Sequence, residues 1–382
     1  MQIPFISGNR DDASRKDSRS QNDRDNRIRK IRQALLGEAI ALAVLVCLWA
    51  GQTQFAQTAA TGKDYIKWVD FTVSYEALCQ AYQWDVESHG SEHEVHWIEL
   101  LAYTAARTGG TFDKKAMKIL DDTAQKIVDG EADMEELTGD LKYYAYYEEA
   151  YTAVLGGMVG EYEVEVQDEN GHMNWEKKYG LKAYFPLARG FDYSHFDDFG
   201  TSRSYGYKRK HLGHDMMGLT GTPIMAIESG RVEALGWNQY GGWRVGIRSL
   251  DGKRYYYYAH LRQNYPFAEN LEEGSLVTAG DVIGYMGHTG YSTKENVNNI
   301  EVTHLHWGLE LIFDESQKES NNEIWIDVYA ITRFLAKHTQ PAQKVEGTKE
   351  WVRTTQMRDP DIEACLPEGN GLSGGEMQIQ LK

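Results

Sequence analysis

The residues best suited to chemistry in this chain are histidines and one aspartate in two short motifs. His211 and Asp215 belong to His-Leu-Gly-His-Asp, and His304 and His306 belong to Thr-His-Leu-His-Trp. Two imidazoles and a carboxylate suit a borderline-soft dication such as Zn²⁺ and leave one position open for water. That is what a hydrolytic metal centre requires, so the motifs predict a metal site.

The spacing within each motif indicates how the ligands meet. A separation of four places His211 and Asp215 on one face of a helix, whereas in a loop Gly213 can supply the turn that brings both to one ion. In a strand, His304 and His306 point to the same face. We therefore expect His306 to bind the metal and His304 to stand beside it, within reach of the water.

Peptide hydrolysis needs further groups around such a metal. A base must take a proton from the water and pass it to the leaving amine, and His304 is the candidate because imidazole titrates near neutral pH. His260, in Tyr-Ala-His, is expected to orient the substrate carbonyl or to stabilise the oxyanion. Two alternatives stay open: His214 can replace His211 as a ligand, and the same donor types can hold Fe(II) in an oxygenase.

These motifs resemble those of the lysostaphin-type (LytM-like) zinc metallopeptidases, over a stretch from about Ser202 to Leu311. The matching elements are His211-Leu-Gly-His-Asp215, Tyr258-Ala-His-Leu261, the glycine-rich Val277 to Gly290 and His304-Leu-His306. The resemblance implies that His211, Asp215 and His306 are the zinc ligands. It also implies that His260 and His304 are catalytic.

The same resemblance implies a fold, an activity and a partner. The family has a small antiparallel β-sheet domain with the metal in a groove, and it cleaves peptide bridges or stems of bacterial peptidoglycan. A non-catalytic wall-binding scaffold, or a regulator of other wall hydrolases, is the alternative. One departure is an insertion, residues 294–303, between Ser292-Thr293 and His304. We expect it to shape or cover the groove, or to be a tolerated surface loop.

The elements that must position these residues follow from the apolar and turn patterns. Residues 64–157 show helical periodicity and predict a helical domain, with one helix from Met134 to Leu155 whose tyrosines pack inward or, alternatively, bind sugar. Residues 160–336 show short alternating strands with glycine turns and a closing helix from Trp325 to Leu335. Polar residues 339–382 predict a disordered tail. The expected class is α+β, with a compact antiparallel metallopeptidase domain.

The N-terminal residues predict a membrane anchor. Residues 1–33 are polar with clustered basic side chains. The predicted anchor at 34–52 contains an apolar run from Ala34 to about Ala50, which is near the lower limit for crossing a bilayer. Basic residues before the run predict a cytoplasmic tail and a single pass, with the catalytic domain outside the cell. A cleaved signal peptide that releases a secreted protein is one alternative, and a buried helix is another.

The bulk composition limits the remaining possibilities. The chain has 382 residues, 41% of them hydrophobic and 25% charged, which is typical of a globular protein. Its formal net charge of -17 argues against nucleic acid as a partner. Three cysteines without a Cys-x-x-Cys pair give no sign of a structural zinc knuckle. The oligomeric state does not follow from the sequence.

Overall fold

The computed structural model describes residues 65–205, 207–318 and 320–365. From Ile66 onward these residues belong to one compact unit. The predicted basic tail, 1–33, and the predicted anchor, 34–52, lie outside the described residues. Among the helices that are described, none combines the length and the apolar character needed to cross a bilayer.

Local capping signals in the sequence explain where several helices begin and end. Ser74 and Asp113 accept hydrogen bonds from backbone N–H groups in the first turns of the helices Tyr75–Ser88 and Lys114–Val128. Gly109 ends the helix Trp97–Thr108 in a left-handed conformation, φ 66°. The helices in the described part of the chain are α1 (Tyr75–Ser88), α2 (Trp97–Thr108), α3 (Lys114–Val128), α4 (Met134–Thr138), α5 (Tyr144–Leu155), α6 (Tyr329–Leu335) and α7 (Pro360–Ala364). A short 3₁₀ turn spans Glu315–Gln317.

Short antiparallel strands make up most of the rest of the described chain. They are β1 (Val159–Gln167), β2 (Met173–Leu181), β3 (Ser194–His195), β4 (Ser202–Tyr205), β5 (Tyr207–Lys210), β6 (His214–Met217), β7 (Pro223–Met225), β8 (Gly230–Asn238), β9 (Gly242–Ser249), β10 (Arg254–Ala259), β11 (Leu276–Val277), β12 (Val282–Tyr285), β13 (His304–Leu311), β14 (Ile324–Ile326), β15 (Ala342–Lys344), β16 (Trp351–Arg353) and β17 (Met357–Arg358). The predicted mixture of helices and antiparallel strands is confirmed.

The central sheet has the order β11-β8-β9-β10-β13-β6-β3, and β14 pairs with β13. A second sheet, β17-β1-β2, contains the β1–β2 hairpin, whose turn lies at Asp168 to Gly171. Three two-stranded ribbons, β4-β5, β7-β12 and β15-β16, complete the sheets of the described residues. The strand pairs place β6, β13 and β10 side by side, and these strands carry the motifs predicted to hold the metal.

The helices and the central sheet share one hydrophobic core rather than forming separate domains. Leu100 of α2 and Tyr151 of α5 belong to the same buried cluster as Trp307 of β13. The buried Arg254 of β10 strengthens this junction, because its guanidinium donates to the carbonyl oxygen of Ala153 at 3.0 Å. The boundary predicted between a helical domain, 64–157, and a β-rich domain, 160–336, is therefore not a domain boundary.

Two predicted helices differ from the structure. The helix expected from Met134 to Leu155 is interrupted after Thr138, where Gly139 precedes a turn, and it resumes at Tyr144. Tyr151 on this second piece is fully buried, as the packing interpretation of the tyrosines expects. The closing helix expected at Trp325 begins only at Tyr329, because Ile324–Ile326 pairs with β13 as a strand.

The prediction of a disordered tail over 339–382 is wrong for residues up to 365. That part contains β15, β16, β17 and α7, and β17 pairs with the edge of β1. Its polar residues find partners far away in the chain, such as Lys182, whose Nζ lies 3.0 Å from Asp359 Oδ1. Composition alone does not show such distant partners. Residues 366–382 lie outside the described residues.

Candidate metal centre

Three neighbouring strands bring the predicted site residues together. The β6–β13 pairing sets His306 opposite Asp215, and the β10–β13 pairing sets Ala259 opposite His306. His260 therefore follows immediately after β10, and His211 lies just before β6. The antiparallel register thus gathers onto one side of the sheet residues that are far apart in the sequence.

His211, Asp215 and His306 form a compact set of donors. His211 Nε2 lies 3.0 Å from both Asp215 Oδ1 and His306 Nδ1, and His306 Nδ1 lies 2.9 Å from Asp215 Oδ1. Ligand atoms about 2.0 Å from a tetrahedral Zn²⁺ stand roughly 3.3 Å apart, close to this spacing. Among the described residues this trio is the one His, Cys, Asp and Glu group placed to hold an ion. The donor set therefore fits a zinc ion.

A carboxylate behind the ligands orients His211. Its Nδ1 lies 3.2 Å from Asp198 Oδ2, so Nδ1 carries the proton and Nε2 keeps its lone pair for a metal. Arg203 donates to Asp198 and also lies 3.2 Å from Asp215 Oδ2, which ties the two carboxylates together. Arg203 lies within the stretch that resembles the family, but no local pattern pointed to Asp198.

The His306 imidazole packs directly against the backbone of Gly213. A Cβ atom at position 213 would lie 2.5 Å from His306 Cε1 and 2.6 Å from Nε2, and 2.8 Å from the carbonyl oxygen of Trp307. Only a residue without a side chain leaves this space. Gly213 is therefore required because the His306 ring lies against its backbone, whereas the sequence suggested that Gly213 supplies a turn.

Two more histidines border the donor set. His304 Nδ1 lies 2.8 Å from the carbonyl oxygen of Val302, and His260 Nδ1 lies 3.0 Å from that of Thr289. Each Nδ1 must donate to its carbonyl, so in the neutral ring each Nε2 is an acceptor. His304 Nε2 is 3.7 Å from Asp215 Oδ1, and the His260 and His304 rings are 4.7 Å apart. His304 is thus well placed to receive a proton beside an ion bound by the donor set.

His260 is held in an unusual backbone conformation. Its φ of 62° is left-handed, and its backbone N–H donates to the carbonyl oxygen of Gly241 at 2.7 Å. Burial lowers the pKa of His260 well below 6.5, which favours the neutral ring. In that state Nε2 accepts and does not donate, so the geometry favours the predicted orienting role over direct oxyanion binding.

The charges of the site suit metal binding at neutral pH. Burial would raise the pKa of Asp215, but hydrogen bonds with His211 and His306 outweigh it and hold the pKa below the usual range. Burial lowers the pKa of His306. An ionised carboxylate and neutral imidazoles are the forms that bind a dication.

His214 lies apart from the donor set formed by His211, Asp215 and His306. Its side chain lies with the other face of β6, where Nε2 is 2.8 Å from His195 Nδ1 and the ring packs edge-on against Tyr329. Burial, and then the neighbouring His195, lower the pKa of His214 to about 3. The structure therefore brings His211, and not His214, together with Asp215 and His306.

The insertion, residues 294–303, is anchored beside the site. Asn296 Oδ1 accepts from Trp243 Nε1 at 2.9 Å, and Asn299 Nδ2 donates to the carbonyl oxygen of Tyr291 at 2.7 Å. Asn296 has φ 61°, a left-handed conformation that asparagine tolerates. Tyr291 lines the pocket that contains His211, Asp215 and His306, here called the metal pocket. The insertion thus supports a wall of the pocket through Tyr291.

Comparisons with known proteins find relatives over the part of the chain that contains this site. A family model described as peptidase family M23 matches residues 209–320. The L-Ala–D-Glu endopeptidase of Bacillus subtilis is 38% identical over 125 residues, which cover 33% of this chain and 37% of that protein. Lysostaphin of Staphylococcus simulans is 38% identical over 89 residues, 23% of this chain and 17% of that protein. The chain therefore spans well under half of either relative.

Two solved structures that are similar to this chain are also named as peptidases. A Ruminococcus gnavus structure named for a LytM glycyl-glycine endopeptidase is 23% identical with a TM-score of 0.45, and the match covers 71% of this chain and 94% of that one. The catalytic domain of lysostaphin from Staphylococcus simulans is 27% identical with a TM-score of 0.29, over 37% and 92% of the two chains.

The domain that contains these motifs is a peptidase domain. Residues 209–320 form a peptidase family M23 domain, which is homologous to the lysostaphin-type endopeptidases. The family predicted from the two histidine motifs is confirmed.

Proposed function

We propose that this chain is a zinc-dependent endopeptidase that hydrolyses peptide bonds in bacterial peptidoglycan. The convergence of His211 Nε2, Asp215 Oδ1 and His306 Nδ1 within 3.0 Å of one another carries the proposal. Family membership supports it, since the relatives with printed activities are endopeptidases. A zinc ion bound there would supply Lewis-acid activation of a water and of the substrate carbonyl.

The protein's own residues supply the proton transfers. Because His304 Nδ1–H is committed to the Val302 carbonyl, its Nε2 accepts a proton from the attacking water and later delivers it to the leaving amine. The neutral His260, fixed by the Thr289 carbonyl, accepts a hydrogen bond through Nε2 and orients the reacting groups. Arg203 keeps Asp215 aligned by pairing with its second oxygen.

The substrate follows from the family. Relatives include an L-Ala–D-Glu endopeptidase of Bacillus subtilis and a glycyl-glycine endopeptidase of Staphylococcus capitis, the latter 37% identical over 89 residues. We therefore propose peptidoglycan peptides, either stems or bridges, as the substrate. Conversely, a complete set of donors argues against the non-catalytic scaffold, which needs none of them.

Two substitutions test the assignment of roles. His306→Ala should lose zinc and activity together, whereas His304→Ala should keep zinc and lose at least about a hundredfold in turnover. Zinc is measured by elemental analysis, and activity by the release of new amino termini from purified peptidoglycan. The matched control is His172→Ala, which removes an exposed histidine from the β1–β2 turn. Wild-type turnover in His304→Ala contradicts the base assignment, and a zinc-loaded wild type that releases no amine contradicts the activity.

We further propose that residues 34–52 anchor the protein in the cell membrane with the peptidase domain outside. The support is the basic cluster that precedes an apolar run in the sequence. Fractionation of cells followed by immunoblotting tests this, with extracellular protease added to intact protoplasts. Full-length protein in the cytosol contradicts the anchor, and a shortened protein in the medium indicates signal cleavage instead.

A further inference from the structure

Arg209 is a cation in the wall of the metal pocket with no carboxylate partner among the described residues. Its guanidinium donates to the hydroxyl of Tyr291, and its buried Nε has no hydrogen-bond partner in the described part of the chain. Arg203, the other pocket arginine, is paired with both Asp198 and Asp215. The two arginines therefore differ: one is neutralised within the protein and the other is not.

The position of Arg209 makes its lack of a partner costly. It faces Arg203 directly across the β4–β5 ribbon. Like charges opposite each other on neighbouring strands are destabilising. The chain has 57 acidic and 40 basic residues, so acidic side chains are plentiful, yet no described one pairs with Arg209. An anion supplied from outside the protein would complete this arrangement.

Aromatic rings hold the Arg209 guanidinium at the pocket. Its Cζ lies 5.1 Å from the centre of the Tyr291 ring and 6.0 Å from that of Tyr240. Tyr291 is itself fixed, because the insertion residue Asn299 donates to its carbonyl oxygen. The Tyr291 ring centre is 5.9 Å from that of His260. The cation is therefore set beside the histidines that border the reacting groups.

We propose that Arg209 binds a carboxylate of the substrate next to the scissile bond, so that the pocket selects acidic glutamyl peptides over neutral glycine bridges. A guanidinium donates two parallel N–H bonds to a planar carboxylate. A neutral peptide group in place of the carboxylate binds the guanidinium less strongly. The inference rests on the proposed endopeptidase function and names its substrate class. Arg209 is then a specificity-determining residue, and the insertion positions it through Tyr291.

Two synthetic peptides test the proposal. Both are built around an L-Ala–D-Glu bond and are the same except that one has D-Gln in place of D-Glu. Binding of each to the zinc-loaded full chain is measured by calorimetry, and cleavage by mass spectrometry. We expect the wild type to bind the D-Glu peptide at least about tenfold more tightly, and the preference to weaken as salt is raised.

The substitutions isolate the guanidinium. Arg209→Gln should bring the ratio of the two affinities close to one while the zinc content stays unchanged. Arg209→Lys should keep part of the preference, because the charge remains without the planar pair of donors. Arg231→Gln, an exposed arginine of β8 whose Nη1 donates only to the Gly274 carbonyl, is the matched control and should keep the full preference.

The outcomes separate this inference from the proposed function. The carboxylate role is overturned if the wild type binds neither peptide or binds both with the same affinity. It is also overturned if Arg209→Gln retains the preference, or if it lowers the affinity for both peptides equally. Discrimination that depends on Arg209 without any cleavage supports the subsite and contradicts the endopeptidase function. Cleavage of both peptides at equal rates by the wild type supports the endopeptidase function and contradicts the carboxylate subsite.

Discussion

The contact between Gly213 and His306 gives the sharpest prediction about the metal site. In Gly213→Ala, the new Cβ would stand 2.5 Å from His306 Cε1, about 0.9 Å inside the 3.4 Å at which ordinary contact begins. The Trp307 carbonyl oxygen, 2.8 Å away, blocks retreat on another side. The imidazole or the strand must therefore shift, and His306 Nδ1 shifts with it.

The expected loss follows from the size of that shift. Displacing a ligand or its support typically lowers metal affinity about 10- to 100-fold, and a misplacement of roughly 1 Å costs about a hundredfold in rate. Overpacking adds about 1–3 kcal/mol of destabilisation. Zinc affinity is measured by competition with a chromophoric chelator, turnover by amine release from peptidoglycan, and stability by thermal unfolding of the metal-free protein.

A glycine with room for a methyl group serves as the control. At Gly139 the nearest atom to an added Cβ is the carbonyl oxygen of Glu135 at 3.6 Å, an ordinary contact. Gly139→Ala should leave zinc affinity and turnover unchanged. If Gly213→Ala folds and binds zinc as tightly as the wild type does, the close-approach explanation of this glycine is refuted.

Three further perturbations probe the rest of the molecule. Arg254→Met should cost about 3–5 kcal/mol in the free energy of unfolding, because it leaves the Glu228 carboxylate buried without its partner; an unchanged denaturant midpoint contradicts this. Burial lowers the pKa of His338 below 6.5, so an unfolded chain takes up the extra proton as pH falls. The stability of the metal-free wild type should therefore decrease below about pH 6.5. In metal-free His338→Gln the decrease should be smaller by up to about 1.4 kcal/mol per pH unit, as measured by urea unfolding at several pH values. Asn296→Ala removes the acceptor of Trp243 Nε1 and should raise KM more than it lowers kcat, whereas unaltered kinetics would mean that the insertion does not shape the pocket.

The geometry of the ligands was predictable where chemistry and strand periodicity act over a few residues. A period of two in a strand puts His304 and His306 on one face, and the structure has Leu305 and Trp307 buried on the opposite face. The donor types of His211 and Asp215 likewise indicated a dication. These inferences need no knowledge of distant contacts.

Features that depend on pairing between distant segments were not predictable in this way. Asp198 supports His211 from across a loop, and Asp359 partners Lys182 from the far end of the described chain. Neither aspartate has a local pattern that distinguishes it from a solvated surface residue. The shared core escaped detection for the same reason, because helical periodicity shows that a face is apolar but not what covers it.

The junction between α5 and the sheet limits how small an active version of this protein can be made. A fragment trimmed to residues 209–320 would lack Thr152 and Ala153, whose carbonyl oxygens receive the Arg254 guanidinium. It would also expose to water the sheet surface that α2 and α5 cover. Engineering a minimal version of this peptidase domain therefore means carrying the helices along, or replacing that apolar surface and its arginine together.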